Sequence, residues 1–347
     1  MDAILLTHPA DLAWLSDFTG HDSIGILTLE SAVLVTDFRY DEQAAQEAPW
    51  LRRVIRADGM ADALARTCKS LGTERIAFEE EHFSVGQMRA LENALRKARA
   101  RGAELVGVSA MLVNARKVKD EVEVQITRDA IACAQDAFKA ILPRIRVGMT
   151  ESELAGQLLL EMRRRGASDA SFPPIVAAGP NGSLPHYRPG LFRIEPDQPL
   201  LIDWGALYRG YCSDLTRTLF IGRVAPRMRE IYRVVLEAQA AAIAAIRPGA
   251  TTRSIDAAAR RVIAAAGYGP RFGHGTGHGI GRDIHEMPTL GRRSKPEPLA
   301  PGMIVTVEPG IYLPGIGGVR IEDDVLVTPS GCEVLSNLDR SLKAAHV

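Results

Sequence analysis

The feature that most restricts how this chain can fold is that part of it occurs twice. Ile145-Arg146-Val147-Gly148-Met149-Thr150 returns 101 residues later as Ile246-Arg247-Pro248-Gly249-Ala250-Thr251, and Gly166 returns as Gly267 at the same offset. Each copy is preceded by a long helical pattern, one starting near Asp120 and stopping before Pro143, the other spanning roughly 228–246. A shorter pattern follows each copy and closes at Gly166 or Gly267, glycine being common just past a helix end. Thr150 with Glu153 makes a capping box for the first short helix. In the first long helix Val122, Ile126, Ala130, Cys133, Ala137 and Ile141 form an apolar stripe. The expected architecture is two related helix-helix-strand halves about a pseudo-two-fold axis, with room between them for a site that draws side chains from both.

Acidic residues fall in two β-prone stretches after the helices. The first runs from Leu200 through Asp203, a turn at Tyr208-Arg209-Gly210, and on through Asp214 to Thr218; the second runs from Ile304 through Glu308, a turn at Pro314–Gly318, and on to Glu322. Each reads as a hairpin. The midpoint of Asp203 and Asp214 falls between Tyr208 and Arg209, and that of Glu308 and Glu322 falls on Gly315. Residues equidistant from a turn face one another with Cβ atoms about 4.5–5.5 Å apart, and like charges so placed destabilise a sheet. Each pair therefore needs a cation. Between the hairpins lie His274-Gly275-Thr276-Gly277-His278-Gly279 and His285-Glu286. Singly these are weak signals, since a strand aspartate is usually solvated and a glycine-flanked histidine is usually incidental. Together they call for a pair of divalent ions.

With 347 residues the chain is too long for one ordinary core, so two domains are expected. The first ~118 residues read as an α/β domain. Its candidate strands are 3–6, 23–29, 32–36, 53–56 and 75–78, and its candidate helices 40–47, 60–71 and 84–98. The boundary is expected near 115–119, giving domains 1–118 and 119–347. Lys+Arg and Asp+Glu are both 42, and no basic cluster stands out, which argues against a nucleic-acid partner. Cys68, Cys133, Cys212 and Cys332 show no metal-ligand spacing and read as reduced, buried thiols. The first residues, Met1-Asp2-Ala3, carry an acid where a signal peptide has basic residues, and no apolar run reaches the roughly 20 residues needed to span a bilayer. A soluble cytoplasmic protein with no membrane partner is expected.

These motifs resemble a known family. Asp203-x-Gly205, Gly210-Tyr211-x-Ser213-Asp214-x-Thr216-Arg217-Thr218, His274-Gly-Thr-Gly-His278-Gly, His285-Glu286-x-Pro288, Glu308-Pro309-Gly310-Ile311-Tyr312 and Arg320-x-Glu322 are similar to the metallopeptidases of the pita-bread fold. The nearest branch is the Xaa-Pro aminopeptidases and Xaa-Pro dipeptidases (prolidases). The resemblance is tightest over 170–330. Phe18-Thr19-Gly20 and Val35-Thr36-Asp37-Phe38-Arg39-Tyr40 resemble the N-terminal domain of the aminopeptidase members. One departure is that similar proteins begin with a helix ahead of the first strand, which Met1 here nearly abuts.

The resemblance implies an α/β N-terminal domain of creatinase type and an α+β pita-bread (creatinase/aminopeptidase-like) catalytic domain with pseudo-two-fold duplication. It implies that Asp203 holds one metal ion, that His278 and Glu308 hold the other, and that Asp214 and Glu322 bridge them. Four carboxylates and an imidazole suit Mn²⁺, with Co²⁺, Zn²⁺ or Fe²⁺ as alternatives. The implied reaction is hydrolysis of the bond between an N-terminal residue and proline by a metal-bridging hydroxide. Glu308 would be the proton shuttle, and His186, His274 and His285 would contact the substrate or the developing charge. Arg320 would orient carboxylates from behind. The substrate would be a short peptide with proline in second position, and the assembly a homodimer. The stretch around Phe38 favours aminopeptidase over dipeptidase. Metal-free creatinase-like hydrolases and non-catalytic binding proteins of this fold have lost ligands that are all present here.

Overall fold

All four residues of the first strand, β1 (Ala3–Leu6), are buried, because its sheet is covered on both faces. The computed structural model describes residues 1–100 and 102–347. Within it the chain divides into two compact units, Met1–Arg116 and Lys117–Val347.

In the first unit β1 is followed by α1 (Pro9–Ser16), β2 (Ile24–Thr28), β3 (Ala32–Thr36), α2 (Asp41–Glu47), β4 (Arg52–Ile55), α3 (Met60–Leu71), β5 (Arg75–Glu79), α4 (Val85–Lys97), β6 (Glu104–Val108) and α5 (Met111–Arg116). Its described strands form one six-stranded sheet in the order β4-β3-β2-β1-β5-β6. Alternate residues of β1 serve different cores. Leu5 packs with Leu64, Cys68, Leu91 and Leu95 of α3 and α4. Ile4 and Leu6 pack with Leu12, Ala44 and Leu112 of α1, α2 and α5. Strand β6 and helix α5 were not expected from the sequence. Gly107 interrupts the first, which forms only by parallel pairing with β5, and six residues are too few for the second to show a helical period.

The second unit continues with α6 (Glu121–Ile141), α7 (Glu151–Arg164), β7 (Asp169–Ala170), β8 (Ile175–Ala178), β9 (Pro199–Trp204), β10 (Ala206–Tyr208), β11 (Tyr211–Cys212), β12 (Leu215–Phe220), α8 (Pro226–Ala245), α9 (Thr252–Ala265), β13 (Gly277–Gly279), β14 (Glu286–Leu290), β15 (Ile304–Val307), β16 (Gly310–Leu313), β17 (Gly317–Arg320), β18 (Asp323–Thr328) and β19 (Gly331–Val334). Helices α7 and α9 are offset by the same 101 residues as the sequence repeat. Gly148 and Gly249 take left-handed φ values of 89° and 80°, which fixes glycine in both copies. Capping boxes start α6 (Asp120 with Glu123) and α7 (Thr150 with Glu153). The apolar stripe of α6 is buried from Ile126 to Ile141, but Val122 is 66 % exposed. In the first turn it is Val124 that packs inward, against Cys212, Ile280 and Ile304.

Each half has its own core. Helices α6 and α7 bury Phe138, Leu154 and Leu158 against β8, β9 and β12, while α8 and α9 bury Val235, Ile255 and Ile263 with Val305, Val307 and Val325. Among the described residues no helix is long and apolar enough to cross a membrane.

Candidate metal centre

Three of the four acids sit where the strand ladders open, and Asp203 lies within one. Strands β9 and β12 pair with Asp203 opposite Thr216, and β10 and β11 close the hairpin with Tyr208 opposite Tyr211. The turn residues Arg209 and Gly210 have φ of 48° and 78°, the two positive values that a tight two-residue hairpin turn demands. The turn centre therefore falls between Arg209 and Gly210, one residue later than the acid spacing implied. Asp214 is two residues away from the expected partner position, a shift that keeps it on the same face. It lies in the gap between β11 and β12. The gap exists because Ser213 turns its carbonyl into the space beside Gly205, where a Cβ would come within 1.7 Å of that oxygen.

In the second hairpin the register is centred on Gly315, as expected. Strand β16 pairs with β17 and β15 with β18 in one continuous register, so Glu308 and Glu322 face each other at the break between the two pairings. A bridge joins the hairpins there, the Glu322 N–H donating to the Thr216 carbonyl at 3.1 Å.

One ligand atom from each of Asp214, His278 and Glu322 lies within 4.8 Å of the others. His278 Nε2 is 3.5 Å from Asp214 Oδ2 and 3.7 Å from Glu308 Oε1. Its Nδ1 is 3.0 Å from the Gly279 carbonyl, so the ring proton belongs on Nδ1 and a lone pair on Nε2 faces the carboxylates. Asp203 Oδ2 accepts from Arg320 Nη2 at 2.5 Å. Asp203 Oδ1 is buried and has no hydrogen-bond donor among the described residues.

The electrostatics point the same way. Burial raises Asp203 despite Arg320, and raises Asp214 and Glu322 well above the carboxylate range, with neighbouring carboxylates adding to the effect. Burial pushes Glu308 up to about 8 and His278 down to about 4. Several buried carboxylates, one guanidinium and a neutral imidazole aiming its lone pair at them fit a cation centre. The donors are oxygens and one nitrogen, the set that divalent ions of hard or borderline character prefer.

Comparison with known proteins identifies the family. A model of metallopeptidase family M24 matches residues 125–329, and one of the creatinase/prolidase N-terminal domain matches residues 1–118. The chain belongs to metallopeptidase family M24. A Xaa-Pro dipeptidase of Pyrococcus horikoshii is 39% identical over 347 residues, covering 99% of this chain and 94% of that protein. Among solved structures, a Xaa-Pro dipeptidase from Bacillus anthracis is 40% identical with a TM-score of 0.93, covering 100% of this chain and 95% of that one. An X-Pro aminopeptidase from Thermotoga maritima is 37% identical with a TM-score of 0.90, covering 98% and 97%. The protein is thus a peptidase with a creatinase-type N-terminal domain and the expected pita-bread catalytic fold.

In this M24 peptidase the remaining histidines take separate places. His274 has partners on both nitrogens, Nδ1 to the Gly275 carbonyl at 2.8 Å and Nε2 to the Tyr312 hydroxyl at 2.9 Å. His285 is exposed, its ring 4.4 Å from that of His278. His186 is also exposed, on a loop held by the buried carboxylate of Glu151. That carboxylate accepts from Ala178 N, Asn181 Nδ2, Tyr187 OH and Gly190 N.

Several supporting residues were given no role by the sequence reading. Arg320 was expected behind the carboxylates, but its other partners were not. Its Nε donates to Thr216 Oγ1 (3.1 Å) and its Nη1 to Tyr312 OH (2.8 Å), while Thr216 Oγ1 donates to Glu322 Oε2 (2.6 Å). Asp324 Oδ2 accepts the Asp214 N–H at 3.1 Å. Strand parity is the signal that could have found Tyr312 and Asp324, each an even number of residues from a site acid.

Proposed function

We propose that this M24 peptidase is a dinuclear-metal Xaa-Pro aminopeptidase, with 1–118 as its N-terminal domain and 119–347 as its catalytic domain. The observation that carries the reading is the lone pair of His278 Nε2 facing Asp214 and Glu308 inside a buried set of carboxylates. Asp203 would hold one ion, His278 and Glu308 the other, and Asp214 and Glu322 both. Manganese is the metal the donor set favours. When bound, such a pair supplies Lewis acidity and an acidified water at neutral pH.

The protein's own groups supply the rest. An Xaa-Pro bond has no N–H for an enzyme to grip, and its leaving nitrogen is a secondary amine that must gain a proton. Glu308 would take the proton from the attacking water and deliver it to that nitrogen. His186 and His285, both exposed, would donate to oxygens where negative charge develops. Tyr312 accepts from Arg320 and donates to His274 Nε2, which keeps the His274 ring in one orientation.

A specific observation favours a second reading, Xaa-Pro dipeptidase. Two relatives with that description, from Pyrococcus horikoshii and Bacillus anthracis, align over nearly their whole lengths. The Thr36–Tyr40 stretch keeps aminopeptidase first. Homodimeric assembly follows the resemblance, and cytoplasmic residence is supported by four unpaired cysteines. The deciding experiment is hydrolysis of Ala-Pro-Ala beside Ala-Pro by metal-stripped enzyme with and without Mn²⁺. Metal-dependent cleavage of the tripeptide with the dipeptide slow is expected. The reverse preference establishes the dipeptidase, and cleavage of neither contradicts both.

A further inference from the structure

The segment that carries His274 and His278 cannot fix its own backbone. Gly273, Gly275, Gly277 and Gly279 alternate through it, and glycine loses more conformational freedom on ordering than any other residue. Restraint has to come from outside, and much of it comes from one turn of α9, a helix with no residue among the expected ligands or substrate contacts.

Asp256 and Arg260 are i,i+4 neighbours on that helix, their side chains 2 % and 24 % exposed. Arg260 Nε donates to Asp256 Oδ2 at 2.7 Å. The two other guanidinium nitrogens reach the loop backbone, Nη1 to the Phe272 carbonyl at 3.0 Å and Nη2 to the His274 carbonyl. The guanidinium also lies over the Phe272 ring, 4.3 Å from its centroid, and that ring meets His274 edge-on at 5.1 Å. Asp256 Oδ1 accepts from both the N–H (3.1 Å) and the hydroxyl (2.8 Å) of Thr276. From Thr276 the chain of contacts reaches the centre directly, because its carbonyl accepts the Glu308 N–H at 2.8 Å.

We propose that Asp256 and Arg260 are positioning residues for the reaction, clamping Phe272–Thr276 so that the His274 ring and the Glu308 backbone hold their places. The inference rests on the peptidase reading above for its activity readout, though not for its structural one. The hydrogen bonds of both residues go to each other and to the loop backbone and Thr276, not to the site acids. Their effect is on aim, and misplacement of about 1 Å can cost roughly a hundredfold in rate. The planar fork of arginine is what serves two carbonyls and a carboxylate at once, so lysine is a poor substitute.

The test uses full-length protein carrying R260M, R260K or D256N, the last nearly isosteric and the safeguard if R260M folds poorly. Amide hydrogen exchange in 273–279 is expected to rise at least about tenfold in R260M and D256N, with the rest of the chain unchanged. For Ala-Pro-Ala, kcat is expected to fall about 10- to 100-fold, as for other outer-shell supports, with KM within about threefold. R260K should recover only part of the loss. In an H274A background R260M should add less than about a twofold further loss, because the two act through one ring. Unchanged exchange in 273–279 overturns the clamp whatever the activity. Multiplication of the R260M and H274A losses overturns the route through His274. An inactive wild type with the expected exchange result counts against the peptidase reading and leaves the clamp supported.

Discussion

Phe138 and Gln239 occupy equivalent places on the two long helices, 101 residues apart, and hold their strands by different means. Phe138 of α6 stacks on Trp204, the neighbour of Asp203, with ring centroids 4.3 Å apart. Trp204 also donates from Nε1 to the Ala134 carbonyl of the same helix at 2.9 Å. Gln239 of α8 donates from Nε2 to the Val307 carbonyl (3.2 Å) and to Asp323 Oδ2 (2.9 Å), the neighbours of Glu308 and Glu322. Asp323 is further fixed by a buried ion pair with Arg217 at 2.7 Å. The difference follows from the ladders. Asp203 lies inside a continuous ladder, and the helix beside it adds a ring stack and a single hydrogen bond. Glu308 and Glu322 both stand at a break, so the strands around them are tied by polar contacts instead. The outer corners differ as well. In α7 Glu161 pairs with Arg144, Arg164 and Arg165, whereas the corresponding positions of the second half are Val262, Ala245, Ala265 and Ala266.

The largest effect should come from the residue in the gap of the first hairpin. Asp214→Ala removes an acid expected to serve both ions, and turnover is expected to fall by about a thousandfold or more, beyond the roughly 10- to 100-fold of an outer-shell change. Near-wild-type turnover would show the ligand assignment to be wrong.

The helix contacts give the sharper comparison. Phe138→Ala empties a buried aromatic site and should cost about 3–5 kcal/mol in denaturant unfolding, with the activity of the folded fraction little changed. Gln239→Leu should cost less, about 1–3 kcal/mol, yet lower kcat about tenfold because it loosens both acid-bearing strands. Equal effects on activity would remove the distinction between packed and hydrogen-bonded support.

The smallest effect concerns acid. The three arginines, Arg165 first, lower Glu161 to about 2 from the usual 4.5. A carboxyl lowered by folding adds stability above its unfolded pKa and loses it as pH falls towards the folded one. Glu161→Gln should therefore lower Tm slightly at pH 7 and flatten the loss of Tm between about pH 4.5 and 2. An unchanged pH slope would mean that the cluster adds nothing the second half lacks.

Much of this was legible in the sequence, for reasons that explain what was not. The 101-residue repeat foretold α6 to α9, and the acid spacing with its glycine turns brought Asp203, Asp214, Glu308 and Glu322 to one side of two hairpins. The first register was misplaced because acid spacing does not reveal which residues of Tyr208-Arg209-Gly210 form the turn. Thr216 and Asp256 were missed as supports because Glu322 and Thr276, the groups they hold, lie 106 and 20 residues away in the chain, and Tyr312 because its link to His274 spans 38 residues. Gln239 was missed for the same reason. A glutamine on a helix reads as surface until the strand behind it is known.

Everything proposed for this peptidase depends on the buried carboxylates being a metal site. The decisive measurement strips the protein with chelator, returns Mn²⁺ in counted amounts, and follows bound metal and Ala-Pro-Ala hydrolysis together. Stripped protein is expected to show no turnover and to regain it fully as two ions per chain bind, more tightly at pH 8 than at pH 6 because protons compete for the same oxygens. Full activity without metal, or no binding at all, would contradict the metal-site reading.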